Sequence, residues 1–442
     1  MKNLNERCEP FALYLPSIQK GYAKSVYKRI QVDRPFPSEL RYQSLNFLNP
    51  KSSLWHYKYA LYSVGQFALG EQYADIVTNR DREQTLILGD SGGFQIGKGT
   101  FQGFNDLINC RNAAEVCERW RNASHVKQWI VSWLETHCDY AMTIDMPLWA
   151  QFNENRSTPF HKCSTEQLVD LTVENLKFIR SNRLGQTKWL NVIQGTNESD
   201  MQLWWKSVNS FRFSGWALAG DTGWRGGVVN VIKQVLMMRD EDAFVDGLDW
   251  LHVLGVSQTK WAVILSAIQR GLRSYVNPKL RVSFDSASPS MLAGRYESVA
   301  LRPKFTKDPK SWVFTIVKAP NAIGYTKEAS KYAFPFESPL GDLLELHHIN
   351  VKGERFTNVR YDDVSYHLLT NHNTWIYLRS MLEANELAFL EPADAKKFVP
   401  PKLLDCIHLI EDLMVTKNWK SKLKAKGELL MGIDALSKGD VI

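Results

Sequence analysis

From Leu86 to Ser288 the sequence alternates between short apolar runs and amphipathic stretches of about three turns, a rhythm that few folds accept. The first run, Leu86–Leu88, reads as a buried strand that stops at Gly89. Strand candidates follow at YAMTID (140–145), KWLNVIQG (188–195), FSGWALAGD (213–221), DWLHVLGV (249–256) and LRVSFDSAS (280–288). Between them lie a Trp-rich helical segment (119–137) and helices at 164–183, 199–211, 227–238 and 261–272. In the 164–183 helix Ser164 and Gln167 stand as a capping box, and Leu168, Leu171, Val173, Leu176 and Ile179 repeat at helical spacing. Strands alternating with helices predict a parallel α/β fold. At least six such units favour a (β/α)8 barrel of the TIM type over a doubly wound sheet. No G-x-G-x-x-G follows the first strand, which weakens a dinucleotide-binding alternative.

Outside this rhythm the pattern is weaker. FALYLPS (11–17) and SLNFL (44–48) read as short strands, and WHYKYALYSVGQFALG (55–70) as a helix ending at Gly70. Between the first two lies a basic stretch with Lys20, Lys24, Lys28, Arg29 and Arg34. Beyond residue 300 come a basic, Pro-containing segment (301–337) and helices at 367–390 and 400–419, followed by a lysine-rich tail. The expected division is therefore 1–300, a catalytic barrel with an N-terminal elaboration, and 301–442, a basic linker and helical region that completes or flanks it.

Charge and cysteine usage narrow the setting. A net charge of +7 makes a polyanionic partner plausible. The 15 Trp, 16 Tyr and 21 Phe residues serve a core and also suit stacking on bases. None of the six cysteines forms a C-x-x-C pair, so no zinc ribbon or thioredoxin-like motif is expected. The start lacks a signal-peptide core and no run reaches the length of a membrane span, so a cytoplasmic protein without membrane association is expected.

In a parallel barrel the C-terminal strand ends line one mouth, where the active site of this fold sits. The residues delivered there are Asp90 with Phe94 and Gln95, Asp145, Gln194 with Gly195, Ala219–Gly220–Asp221, Leu254–Gly255, and Asp285. Gly92 and Gly93 permit positive φ and close backbone approach. Any one of these aspartates suits a helix N-cap, and for Asp221 that is the favoured reading. Asp90, Asp145 and Asp285 together describe a polar pocket for a flat, hydrogen-bonding ligand, with Phe94 placed to stack on it.

These segments resemble the tRNA-guanine transglycosylase superfamily. DSGGFQ (90–95), TIDMP (143–147), VIQG (192–195), WALAGD (216–221), HVLGV (252–256), SFDSASPS (283–290) and NHNTWIYLRSML (371–382) follow that family's motifs in order. The resemblance covers roughly residues 86–385. It implies base exchange at a nucleoside: Asp285 attacks C1′ and releases guanine, a covalent glycosyl-enzyme forms, and a free 7-deazaguanine base displaces the aspartate. Asp90 would move the protons, Asp145 and Gln194 would read the base edge, Gly195, Gly220, Leu254 and Gly255 would contact the base, and Phe94 would stack on it.

The sequence also departs from that family. The tRNA enzymes hold zinc with a C-x-C-x-x-C cluster and a downstream histidine; His372 matches the histidine, but residues 334–356 contain no cysteine. His347, His348 and His367 are the nearest substitutes, and no metal or other cofactor is expected. These losses, with the basic stretches 302–318 and 417–426, resemble the DNA 7-deazaguanine transglycosylases of bacteria and phages, which insert a 7-cyano-7-deazaguanine-type base into DNA. DNA is thus the expected partner, with tRNA the alternative and a homodimer or a helper protein as further partners. Two other readings are a non-catalytic nucleic-acid-binding subunit, opposed by the retention of both Asp90 and Asp285, and a barrel glycosidase, opposed by the lack of a strand-end Glu.

Overall fold

The computed structural model describes residues 3–28, 35–72, 74–220, 224–352 and 359–435. Asp221, Arg29 and Arg34, singled out above, lie outside the described residues. Eight parallel strands run in chain order around a ring: β1 (Leu13–Pro16), β2 (Tyr59–Ser63), β3 (Leu86–Asp90), β4 (Tyr140–Met142), β5 (Lys188–Ile193), β6 (Gly215–Leu218), β7 (Trp250–Val253) and β8 (Arg281–Ser286). From β2 to β8 each strand pairs with the next, and β1 pairs with β8, Leu15 opposite Asp285. A bridge between Ser17 and Leu61, with Ile18 N donating to Leu61 O at 3.0 Å, nearly closes the ring between β1 and β2. The fold is a (β/α)8 barrel.

The helices are α1 (Leu4–Cys8), α2 (Lys20–Tyr27), α3 (Gly93–Lys98), α4 (Ala113–Asn122), α5 (Ser124–His137), α6 (Thr165–Asn182), α7 (Glu198–Val208), α8 (Gly227–Asp240), α9 (Thr259–Tyr275) and α10 (Ser288–Gly294). After an antiparallel hairpin, β9 (Ser298–Leu301) and β10 (Thr315–Lys318), come α11 (Asp363–Ala388), α12 (Pro392–Phe398), α13 (Pro401–Val415) and α14 (Trp419–Ala435). The capping box at Ser164 and Gln167 forms as the sequence predicts.

Two expectations are corrected and two segments are resolved further. Residues 55–70 hold strand β2 and a short 3-10 turn rather than a helix. Tyr59, Ala60, Leu61 and Tyr62 are all buried, so this strand shows none of the alternation that marks a half-exposed one. SLNFL is not a strand: a 3-10 turn spans Tyr42–Leu45, and Leu45, Phe47 and Leu48 are buried there. The 119–137 segment belongs to two helices that meet at Ala123, and the basic linker contains the β9–β10 hairpin.

Much of the tryptophan content is core. Trp120, Trp189, Trp204, Trp216 and Trp250 are fully buried, and each indole N–H finds an acceptor: Asn175, Glu135, Val192 O, Ala243 O and Ser283. A buried indole without one would leave a desolvated donor unpaired. The C-terminal helices pack outside the barrel, α13 against α9, α11 against α9 and α10, and α14 against α8. At the C-terminal end of α8, Arg239 donates to the carbonyls of Leu413, Met414 and Thr416, and the Trp419 indole donates to Asp240 at 2.7 Å. Among the described residues no helix is long and apolar enough to cross a membrane.

Candidate active site at the barrel mouth

Asp285 lies near the end of β8 with one carboxylate oxygen on each of two donors. Gly255 N–H donates to Oδ1 at 2.8 Å, and the Ser17 hydroxyl donates to Oδ2 at 2.9 Å. Gly255 presents its N–H from a turn with φ +75°, where a side chain would be strained. His252, fully buried on β7, places Nε2 3.3 Å from Asp285 Oδ1, close but poorly aligned for a hydrogen bond. Its Nδ1 lies 2.9 Å from Ser283 Oγ, which itself accepts the Trp250 indole N–H at 2.7 Å. Ser283 thus links the Trp250 indole to the His252 ring, which sets the position of the ring edge that faces Asp285.

Asp90 ends β3. Burial raises its pKa; the Ser63 hydroxyl opposes the rise, the Asp285 charge adds to it, and the Gly92 N–H and His252 oppose it. Gly92 has φ +78°, and a Cβ there would stand 2.8 Å from the Gly65 Cα, so the loops after β2 and β3 approach closely only with glycine at this position. Gly93 needs no positive φ; a Cβ on it would come within 3.3 Å of Asp145 Oδ1. Gln95 turns Oε1 against Gly65.

Asp145 follows β4, and burial pushes its carboxyl up to about 7, the Gln194 hydrogen bond opposing and the Asp90 charge reinforcing the shift. Gln194 donates through Nε2 to Asp145 Oδ2 while its Oε1 accepts Leu148 N–H at 2.9 Å. Both ends of that amide are engaged, so Gln194 braces the Asp145 loop as well as lining the mouth. Gly220, with φ +60°, lies beside Gln194 Oε1. Half-buried Leu254 donates its N–H to Leu218 O at 3.1 Å, tying the β7 loop to β6. Gly195 serves packing: a Cβ would fall 2.3 Å from Met201 Cγ and 2.9 Å from Met201 Cα on α7.

Phe94 is 60% exposed at the rim, its ring 5.4 Å from that of Trp149, with Lys98 Nζ 5.0 Å from the Trp149 ring. Ser17, Ser63, His252 and Trp149 were not singled out in the sequence. The available signal was His252, a polar residue inside an otherwise apolar strand.

His372 stands apart from the mouth group. It is buried, its Nδ1 is 2.8 Å from Ser338 Oγ, and its ring packs edge-on against Phe334. Burial lowers its pKa to about 4, the Ala300 carbonyl opposing. The His347 and His348 rings lie 4.1 Å apart and tilted by 51°, and His367 meets the Tyr42 hydroxyl. Among the described residues no three His, Cys, Asp or Glu side chains gather at metal-ligand spacing, so these residues do not fit the zinc of the tRNA enzymes. A cavity of about 360 Å³ opens at the opposite barrel face, lined by Lys58, Tyr140, Trp250, Lys279 and Arg281 among others. Its cations are already answered by Glu9 and Asp246, and the strand-end carboxyl groups lie at the other end. No protein-family model matches the sequence, and no curated protein matches it.

Proposed function

We propose that this chain is a pentosyltransferase that exchanges guanine in DNA for a 7-deazaguanine base through a covalent aspartyl-glycosyl intermediate. The observation that carries the reading is the pairing at the mouth of Asp285, oriented by Gly255 and Ser17, with Asp90, a carboxyl that burial inclines to hold its proton. An Asp285 oxygen attacks C1′ as the C1′–N9 bond breaks, and guanine leaves with the bonding pair and takes the Asp90 proton. N9 of the incoming base then attacks C1′, returns its proton to Asp90 and releases Asp285. Splitting one glycosidic substitution into two displacements is the logic of retaining glycosidases. Asp145 accepts donors on the base edge, and a base drawn out of its strand finds a stacking surface at Phe94.

Labelled-guanine exchange, measured side by side on duplex DNA and on tRNA, tests this. Label entering DNA is expected. Label entering only tRNA would overturn the choice of polymer, and label entering neither would overturn base exchange.

A further inference from the structure

The two basic stretches of the sequence begin at different ends of the barrel. Residues 413–419 sit at the C-terminal end of α8, held there by Arg239 and Asp240. In a (β/α)8 barrel that end lies opposite the mouth. The lysines that begin at Lys417 therefore start on the far side. The loop between β9 and β10 is fixed elsewhere: Thr259, the first residue of α9, donates its hydroxyl to Trp312 O. Thr259 follows Gly255 by four residues, a span of at most about 14 Å of chain. Gly255 N–H is bonded to Asp285. Trp312 thus borders the mouth.

This loop is rigidly built. Trp312 Nε1 donates to Thr306 O at 2.9 Å, and the Phe305 ring meets the Trp312 ring edge-on. The Lys304 N–H and the Phe305 N–H both reach Ser311 O, and Ser311 Oγ bonds Thr306 and Asp308. Of the basic residues in 302–318, Arg302 pairs with Glu383 and Lys318 donates to Tyr296 O. Lys304, Lys307 and Lys310 are exposed and have no side-chain partner among the described residues. Cations held outward on a stiff, internally bonded loop cost little conformational entropy when they meet a fixed line of anions.

We infer that Lys304, Lys307 and Lys310, carried on the β9–β10 loop beside Trp312, form a phosphate-backbone clamp that seats a polynucleotide across the mouth. The clamp rests on the base-exchange reading for its purpose, and the lysines of 417–426 have no part in it.

The test is fluorescence anisotropy of the full chain with a labelled DNA duplex, the corresponding single strand and an RNA stem–loop, each across a salt series. Combining Lys304→Ala, Lys307→Ala and Lys310→Ala should weaken binding by about tenfold or more and flatten the log K versus log salt slope by roughly 3 on the duplex and roughly 2 on the single strand. The matched variant Lys417→Ala, Lys420→Ala, Lys424→Ala removes the same charge and should leave affinity and slope unchanged. Equal losses in both triples, or none in the first, would overturn the clamp. Labelled-guanine exchange with the same preparations separates the two ideas. A clamp effect without any exchange refutes base exchange alone, whereas exchange without a clamp effect refutes the clamp alone.

Discussion

At the scale of single residues, the proposed nucleophile, Asp285, is defined by what holds it. Asp285 accepts from Gly255 and Ser17, and His252 stands behind Oδ1 in a chain that continues through Ser283 to Trp250. In the proposed exchange this carboxylate points at C1′ and then leaves it, so a ring packed 3.3 Å from Oδ1 bears on the chemical step more than on base binding. On the proposed function, His252 serves as a positioning residue. Replacing it with Asn, which has no donor near the Nε2 position, should lower kcat roughly ten- to a hundredfold with KM for the free base unchanged. His252→Gln, which reaches further, should recover part of the rate. Equal loss of kcat in the two variants, with both folded by circular dichroism, would reduce His252 to a packing role.

At the scale of elements, the strand ends were legible because barrel topology converts order along the chain into position around the mouth. Asp90, Asp145, Gln194 and Asp285 each sit at or just beyond a strand with a readable apolar pattern, and the structure brings them together. Ser17 and Ser63 were not legible, since each is an ordinary serine at the end of a strand whose own pattern was weak or misread. The 55–70 stretch misled because a strand buried on both faces and a buried helix look alike in composition. Gly195 was legible as a glycine but not in purpose, because its neighbour Met201 belongs to the next helix. Where local signals were complete, as at α6, the sequence reading was sufficient. Ser164→Ala removes the acceptor for Gln167 N–H and should cost about 1 kcal/mol in urea unfolding. The exchange rate should stay intact, because α6 holds none of the mouth groups.

At the scale of the whole molecule, the two faces of the barrel carry opposite electrostatic burdens. On the lower face Glu9 ties the end of α1 to β2 and β8 through Tyr59, Lys58 and Arg281. Although burial opposes it, these partners bring its pKa down to about 2. That contribution is present above the ordinary glutamate range and is lost as pH falls toward 2. At the mouth the sign reverses. An unfolded Asp145 ionises near 3.8, whereas the folded one keeps its proton up to about 7. Between those values the unfolded chain sheds a proton that the folded chain retains, so folding is progressively disfavoured as pH rises, and the full penalty applies above 7. Asp145→Asn should therefore raise the melting temperature at pH 8, with the gap from the parent closing near pH 4, while base binding is lost. A variant equally stabilised at both pH values would show that ionisation of Asp145 is not the source of the cost. Stability given up at a functional carboxyl is expected where binding needs the charged form.

The proposed function depends on Asp285 making and breaking a bond to the sugar. The most direct test is nucleoside mass spectrometry of DNA and tRNA from cells that express this chain or its Asp285→Ala variant and contain a 7-deazaguanine precursor. A deazaguanine nucleoside in DNA that appears with the parent chain and vanishes with Asp285→Ala is the predicted result. The same nucleoside persisting in DNA with the variant, or never appearing in DNA with the parent, would contradict the account.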